Sequence, residues 1–391
     1  MKIRSFPRPS AAARLCAGLF LSFAAAAGAR ADITVGVILS TTGPAASLGQ
    51  PADNTVKLWP DSIAGEKLKV IVLNDASDPT EASRQAAKLI NEEKVDVIVG
   101  SSVTPPSIAI VEVAGNAATP VIALGGGNAI IEPQEGARTW AFKMPAPERI
   151  SVQRALEHMA SHGVKKAGAI AVSTSYGNGF LNAFNEQAKD HGIEISGVER
   201  YGAQDLGVTA QIVRLMAAKP DAIYILSFGT PAFLPQAELA KRGYQGKVYQ
   251  THGVANADFL RVGGKDVEGT FLAVAPVLVA EQLPDDDPTK QAGVEYVTQY
   301  EGKYGPGTRS LFGSTAWTAL NWLQATVPVA LKEARPGTPE FRAALRDALE
   351  NMKEVVSPEG VFNMTKEDHN GIDSRGQVVV QIEDGKWKLA Q

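Results

Sequence analysis

The sequence predicts an α/β protein built as two Rossmann-like, doubly wound lobes joined by a multi-strand hinge. Three observations predict it. From Asp32 onward, short apolar runs of strand length alternate with longer amphipathic segments. The alternation runs through two successive series, separated by the proline-containing stretch Lys143-Met144-Pro145-Ala146-Pro147. A hairpin-like tail then closes the chain long after the second series ends.

Taken in order, the run 33–39 (Ile-Thr-Val-Gly-Val-Ile-Leu) reads as a buried strand, ended by the turn Thr41-Thr42-Gly43-Pro44. A second strand is expected over 68–73. A helix over 80–91 follows, with Ala82, Ala86, Leu89 and Ile90 on one face. Strand 95–99, helix 107–118 and strand 121–124 complete the first series, the rhythm of a parallel sheet covered on both faces. The second series begins near Glu148: helix 150–162, strand 167–172, helix 180–191, strand 194–198, helix 208–219, strand 222–226, helix 232–242 and strand 247–250. Proline fixes φ and stiffens an extended crossing, so residues 143–147 read as the link between lobes.

The C-terminal third differs. Two or three helices are expected over 289–352, and strands 377–382 and 386–389 flank the turn Glu383-Asp384-Gly385. A tail of this kind completes a sheet begun earlier, which makes the lobes discontinuous: 32–146 with 276–374, and 147–275 with 375–391.

Residues 1–31 read as an export signal. Lys2, Arg4, Arg8 and Arg14 precede a short apolar stretch, and Ala29-Arg30-Ala31 supplies the small-x-small cleavage pattern. The stretch is too short for a bilayer that needs ~20 apolar residues. Cleavage after Ala31 places the chain in the periplasm. It also removes Cys16, the single cysteine, so stability there rests on core packing without disulfides. The remaining 360 residues exceed one comfortable core and carry 33 basic against 42 acidic residues, a net charge of −9. An acidic surface without Lys/Arg clusters argues against nucleic acid or an anionic membrane as partner, and no membrane-embedded segment is expected after the signal.

Catalytic patterns are missing. There is no Gly-x-Ser-x-Gly elbow, no P-loop lysine and no full dinucleotide fingerprint around Gly125-Gly126-Gly127, so no enzyme activity and no cofactor are expected. His158 and His162 have the i, i+4 spacing that can hold zinc, yet no third ligand is evident, and two solvent-facing histidines are expected. Asp285-Asp286-Asp287 lies between Pro284 and Pro288 without calcium-loop spacing and reads as a solvated loop.

A set of spaced landmarks resembles the leucine/isoleucine/valine-binding protein family, type I periplasmic solute-binding proteins. They are Thr42-Gly43-Pro44, Asp75 to Asp78-Pro79 with Ala82, Val97-Ile98-Val99-Gly100, Tyr176-Gly177 and Gly253-Val254-Ala255-Asn256. Late in the chain come Glu367-Asp368-His369-Asn370-Gly371 and Asp384-Gly385-Lys386-Trp387. The resemblance implies a monomer whose lobes close on one small ligand for an inner-membrane ABC permease. It also implies that Thr104, beside Val103 in the loop 101–106, meets a ligand carboxylate, with Gly125 and Gly127 at the charged head. Tyr176 would close over the ligand from the second lobe, Phe228 would lie near the pocket, and Leu48 stands where amino-acid binders carry a tyrosine. In open α/β sheets such ligands sit beyond the carboxyl ends of strands, where helix N-termini favour an anion.

Two positions depart from the amino-acid-binding pattern. The acidic residue expected immediately before Gly253 is His252, and the expected hydroxyl on the glycine turn is Gly127. A buried charge stripped of its partner costs ~3–5 kcal/mol, or ~10²- to 10³-fold in affinity, so a ligand ammonium fits poorly. Thr104, the glycine turn and His252 suit a carboxylate with a second polar group, and Tyr176 and Phe228 suit a flat apolar body. The expected ligand is an aromatic or other hydrophobic organic acid, of benzoate or cinnamate type. The alternatives are a branched-chain amino acid or amide-type ligand, or ligand presentation to a sensor.

Overall fold

The computed structural model describes Met1 and residues 32–390; the predicted export signal, its cleavage site and Cys16 lie outside the described residues. The first half builds β1 (Ile33–Leu39), α1 (Ala46–Val56), β2 (Ser62–Ile63), β3 (Glu66–Asn74) and α2 (Pro79–Asn91). It continues with β4 (Val97–Gly100), α3 (Thr104–Asn116), β5 (Val121–Ala123) and β6 (Ala141–Lys143). The sheet order is β2-β3-β1-β4-β5-β6, parallel except for the short β2 edge.

The second series gives α4 (Glu148–Ser161), β7 (Lys166–Val172), α5 (Ser175–Gln187), β8 (Glu194–Tyr201) and α6 (Thr209–Ala217). After it come β9 (Ala222–Leu226), α7 (Phe233–Lys241), β10 (Lys247–Gln250), α8 (Ala257–Gly263) and β11 (Phe271–Val274). Then follow α9 (Lys290–Tyr304), α10 (Leu311–Glu333), α11 (Pro339–Glu350), the hairpin β12 (Val355–Ser357) and β13 (Gly360–Phe362), and finally β14 (Val378–Glu383) and β15 (Lys386–Leu389). The second sheet runs β15-β14-β11-β10-β9-β7-β8. Its last two strands in sequence add antiparallel at the β11 edge. The tail thus completes a sheet begun some two hundred residues earlier. Its turn is made by Asp384 and Gly385, both at positive φ (51° and 67°), the geometry a two-residue hairpin needs.

Local chemistry explains where the elements start. The Asp78 side chain accepts from the N–H groups of Thr80 and Glu81, and Pro79 fills the first helical position of α2. Helix α3 begins at Thr104, three residues before the expected start, because Pro105 and Pro106 sit in the first turn, where no N–H is needed. Helix α5 begins at Ser175, capped by the Thr174 hydroxyl, rather than at Phe180. Gly36 in β1 makes room for Leu89 of α2: a Cβ there would lie 2.5 Å from Leu89 Cδ1. The first sheet is covered on one face by α2 and α3 (Ala86, Leu89, Ile110 and Ala114 against Ile38 and Ile98). On the other face α10 covers it, with Ala316, Ala319, Leu323 and Val327 against Val35, Val37 and Val99.

Within the parallel parts both sheets have the same doubly wound order, β3-β1-β4-β5-β6 and β8-β7-β9-β10-β11. Each order reverses once, between β1 and β4 and between β7 and β9. The chain passes between the sheets after β6, through α9 and α10, and again between β13 and β14. The first and last passages are tied together, since Asn370 Nδ2 donates to the carbonyls of Lys143 (2.8 Å) and Pro145 (2.9 Å).

His158 is buried rather than solvent-facing, hydrogen-bonded through Nδ1 to the Tyr249 hydroxyl at 2.8 Å and stacked on the exposed His162 ring at 3.9 Å. The helix face it occupies packs on the second sheet beside Phe271, and burial drives its pKa down to about 4. No group of three or more His, Cys, Asp or Glu placed to hold a metal ion occurs among the described residues.

Candidate functional site

The two points where strand order reverses face one another, and the loops that leave them enclose a cavity of about 10 Å³, room for roughly one water. Leu48, Ser102, Val103, Thr104, Leu124 and Gly126 come from the first sheet's loops. Tyr176, Phe228, His252 and Gly253 come from the second, and Pro145 and Phe312 from the segments between them. Of the residues singled out in the sequence, Leu48, Val103, Thr104, Tyr176, Phe228 and His252 share this cavity. Gly125 lies behind it, where an added Cβ would meet Ser107 Oγ at 2.8 Å. Gly127 packs on Thr104, where one would meet Thr104 Cγ2 at 2.6 Å. The middle glycine faces the second lobe: a Cβ on Gly126 would lie 2.5 Å from His252 Nε2 and 3.0 Å from Tyr176 Cε2. Glycine here serves the close approach of the opposite lobe.

The loop before α3 is braced from below. Ser101 Oγ donates to the buried Asp75 carboxylate and lies 3.2 Å from Ser40 Oγ, while Ser107 Oγ donates to the Ser101 carbonyl at 3.0 Å. Burial raises the Asp75 pKa against those hydrogen bonds. Pro105 and Pro106 carry no N–H, and the Ser107 N–H is taken by the Val103 carbonyl at 3.0 Å. The first turn of α3 therefore offers an anion the Thr104 N–H and side-chain hydroxyls, a narrower donor set than a bare helix end. Ser102 Oγ is buried, lines the cavity and has no hydrogen-bond partner.

The second lobe supplies the walls. The Tyr176 ring meets Phe228 edge-on at 5.4 Å and His252 at 5.8 Å, with Phe180 behind at 4.8 Å. The Tyr176 hydroxyl is committed to Thr251 Oγ1 (2.9 Å), which donates to the Ser227 carbonyl at 2.6 Å, so this tyrosine shows the cavity its ring face. Burial holds the phenol pKa well above its usual value. His252 Nε2 is buried and unpartnered; burial first, and then the charge of Lys143, push its pKa down to about 3, so the imidazole is neutral.

Charged groups stand behind the walls. Lys143 is fully buried; its Nζ donates to the Gly126 carbonyl at 3.2 Å and to the Pro145 carbonyl. Burial lowers its pKa to about 8 against the pull of Glu148, Glu132, Asp368 and Glu359. Glu148, in the first turn of α4, reaches across to the Asn128 N–H with both carboxylate oxygens (2.9 and 3.0 Å) and packs on Gly179 of α5. Burial raises its pKa, with Lys143 opposing, and pushes the wholly buried Glu359 up to about 8. Among the described residues, no carboxylate lines the cavity itself.

Residues 32–386 fit the family description "Periplasmic binding protein". The chain belongs to that family. Curated relatives of the chain include Leu/Ile/Val-binding protein homolog 3 of Brucella melitensis, 22% identical over 92% of this chain and 94% of that protein. An extracellular ligand-binding receptor from Rhodopseudomonas palustris superposes with a TM-score of 0.89 at 43% identity, covering 92% of this chain and 99% of that one. The same fold appears in a solute binding protein of an ABC transporter from Rhodopseudomonas palustris BisB5, in complex with 3,4-dihydroxy benzoic acid. Its TM-score is 0.76 at 24% identity, over 91% of this chain and 95% of that one. This periplasmic binding protein is thus of the Leu/Ile/Val-binding type and binds a solute. No helix among its described residues is long and apolar enough to cross a membrane.

Sequence reasoning missed Ser102, Gly126 and Phe312 in the lining, and Lys143 and Glu148 behind it. Ser102 and Gly126 sit beside residues that were singled out. Phe312, two residues past the Ser310 cap of α10, and the two buried charges reach the site through tertiary packing that leaves no local pattern.

Proposed function

We propose that this protein is the solute-binding component of an ABC importer and holds an aromatic or hydrophobic organic acid between its lobes. One observation carries the reading. The cavity is walled by Tyr176, Phe228 and Phe312, and it presents two buried, unpartnered neutral polar atoms, Ser102 Oγ and His252 Nε2. A buried polar atom without a partner costs free energy until something fills its valence. A ligand with a carboxylate at one end and a second polar group at the other answers both, and its flat body matches the rings once the lobes part to admit it, since the closed cavity has room for roughly one water. The ammonium of an amino acid finds no carboxylate in the lining. The 3,4-dihydroxy benzoic acid held by the Rhodopseudomonas palustris BisB5 protein has that chemistry on the same fold.

In this reading Thr104, Val103, Leu48 and the turn through Gly125 and Gly127 form the first-lobe half of the site, with Tyr176, Phe228 and His252 opposite. The halves are carried by lobes 32–146 with 276–374 and 147–275 with 375–391. The leader is removed after Ala31, and a monomer in the periplasm delivers its ligand to an inner-membrane permease. A second reading, a branched-chain amino acid, draws on the buried Glu148 beside the glycine turn and on the name of the Brucella relative. A thermal-shift screen of aromatic acids and amino acids separates them, because a ligand that binds the folded state raises the melting point. Stabilisation by amino acids alone overturns the aromatic-acid reading. Uptake of labelled ligand that is unchanged when the gene is deleted overturns the transport role.

A further inference from the structure

The first-lobe half of the cavity has its polarity fixed from behind. In a trans peptide the carbonyl and the N–H point opposite ways. The Gly126–Gly127 peptide is held at both ends: Lys143 Nζ takes the Gly126 carbonyl at 3.2 Å, and the Gly127 N–H donates to Thr104 Oγ1 at 3.0 Å. Lys143 is itself anchored at the Pro145 carbonyl and has no exposure, and Thr104 is 1% exposed. A hydroxyl has one proton to give. With its oxygen accepting from Gly127, the proton of Thr104 is left for whatever enters the cavity.

We propose that Lys143 is a specificity-determining, positioning residue that makes the site choose an acceptor. A one-way relay runs from the lysine ammonium through the Gly126–Gly127 peptide to the Thr104 hydroxyl, and it ends on the ligand carboxylate. Each bond in such a chain polarises the next, so the buried cation is felt at the ligand as a stronger donor and not as a contact. The same arrangement occupies the carbonyl of Gly126, the glycine that faces His252, and so withholds it from a ligand ammonium. The relay deepens the proposed function and rests on it for the identity of the ligand; the hydrogen-bond arrangement itself does not.

The test compares 4-hydroxybenzoate with 4-hydroxybenzamide, which keeps the shape and removes the charge. In Lys143→Met the ratio of carboxylate to carboxamide affinity falls about tenfold, the scale of one charge-assisted hydrogen bond. The loss shrinks when Thr104→Val has already cut the relay. Equal weakening of both ligands, or losses that simply add, would mean a merely structural lysine and overturn the proposal. Should Lys143→Met fail to fold, Lys143→Gln, which keeps a donor and drops the charge, is read by the same ratio. Hydrogen exchange at the Gly127 amide gives a ligand-free reading: it is slow in the parent and faster in either variant. Unchanged exchange refutes the relay even if neither probe binds, whereas two inert probes with altered exchange refute only the aromatic-acid reading.

Discussion

Under the proposed function Thr104 carries two separable loads, and Thr104→Val unloads both while keeping the methyl group that packs on Gly127. In the free protein the buried Gly127 N–H loses its acceptor, 3.0 Å away in the parent. An orphaned buried donor costs ~1–3 kcal/mol, which urea unfolding reads as a lower midpoint at unchanged slope. In the complex the charged ligand carboxylate loses the hydrogen bond donated by the Thr104 hydroxyl, ~1.5–3 kcal/mol, or about 10- to 150-fold in Kd. Calorimetric titration with 4-hydroxybenzoate measures the second effect without the first, since both titrated states are folded. A stability loss with a Kd within twofold of the parent would refute the assignment of the Thr104 hydroxyl to the ligand. A weaker Kd with no stability loss would refute its role as acceptor for Gly127.

Three further outcomes follow from the buried charges. Burial holds the Glu359 carboxyl up at about 8 against an ordinary 4.5, so between those values the folded chain keeps a proton that the unfolded chain has lost. Stability falls as pH rises through that window, and Glu359→Gln flattens the fall in unfolding measurements at pH 5 and pH 8; an unchanged slope contradicts it. His158 and His252 are held down at about 4 and about 3 against an ordinary 6.5, so stability falls as pH drops below 6.5. His158→Gln removes part of that acid slope, and a slope as steep as the parent's tells against the buried neutral ring. Glu148→Ala cuts the carboxylate that reaches Asn128 across the lobes, shifting the free protein toward open forms. A larger radius of gyration in X-ray scattering and a weaker Kd are expected; an unaltered radius means that the Glu148–Asn128 contact does not hold the lobes closed.

Much of the sheet framework was legible because parallel strands buried on both faces are continuous apolar runs. β1, β7 and β9 fall where those runs do, and the Asp384-Gly385 turn marks the final hairpin. Elements with mixed or short patterns were missed. α1 contains Pro51, β6 is three residues long, and β11 is four residues after a glycine-rich stretch. The lining residues Thr104, Tyr176 and Phe228 were legible through the resemblance to the Leu/Ile/Val-binding family, and the reversals of strand order place the loops that carry them together. Lys143, Glu148 and Glu359 were not, because a buried charge in a sequence reads like any exposed one. Only packing shows that Lys143 lies beneath a glycine carbonyl.

In the proposed function the cavity accepts a carboxylate on a flat apolar body and offers an ammonium nothing. Parallel calorimetric titrations of the purified protein with 4-hydroxybenzoate and with leucine test it most directly. Saturable heat with the aromatic acid and none with leucine is the predicted result. Micromolar binding of leucine with no heat from the aromatic acid would contradict it.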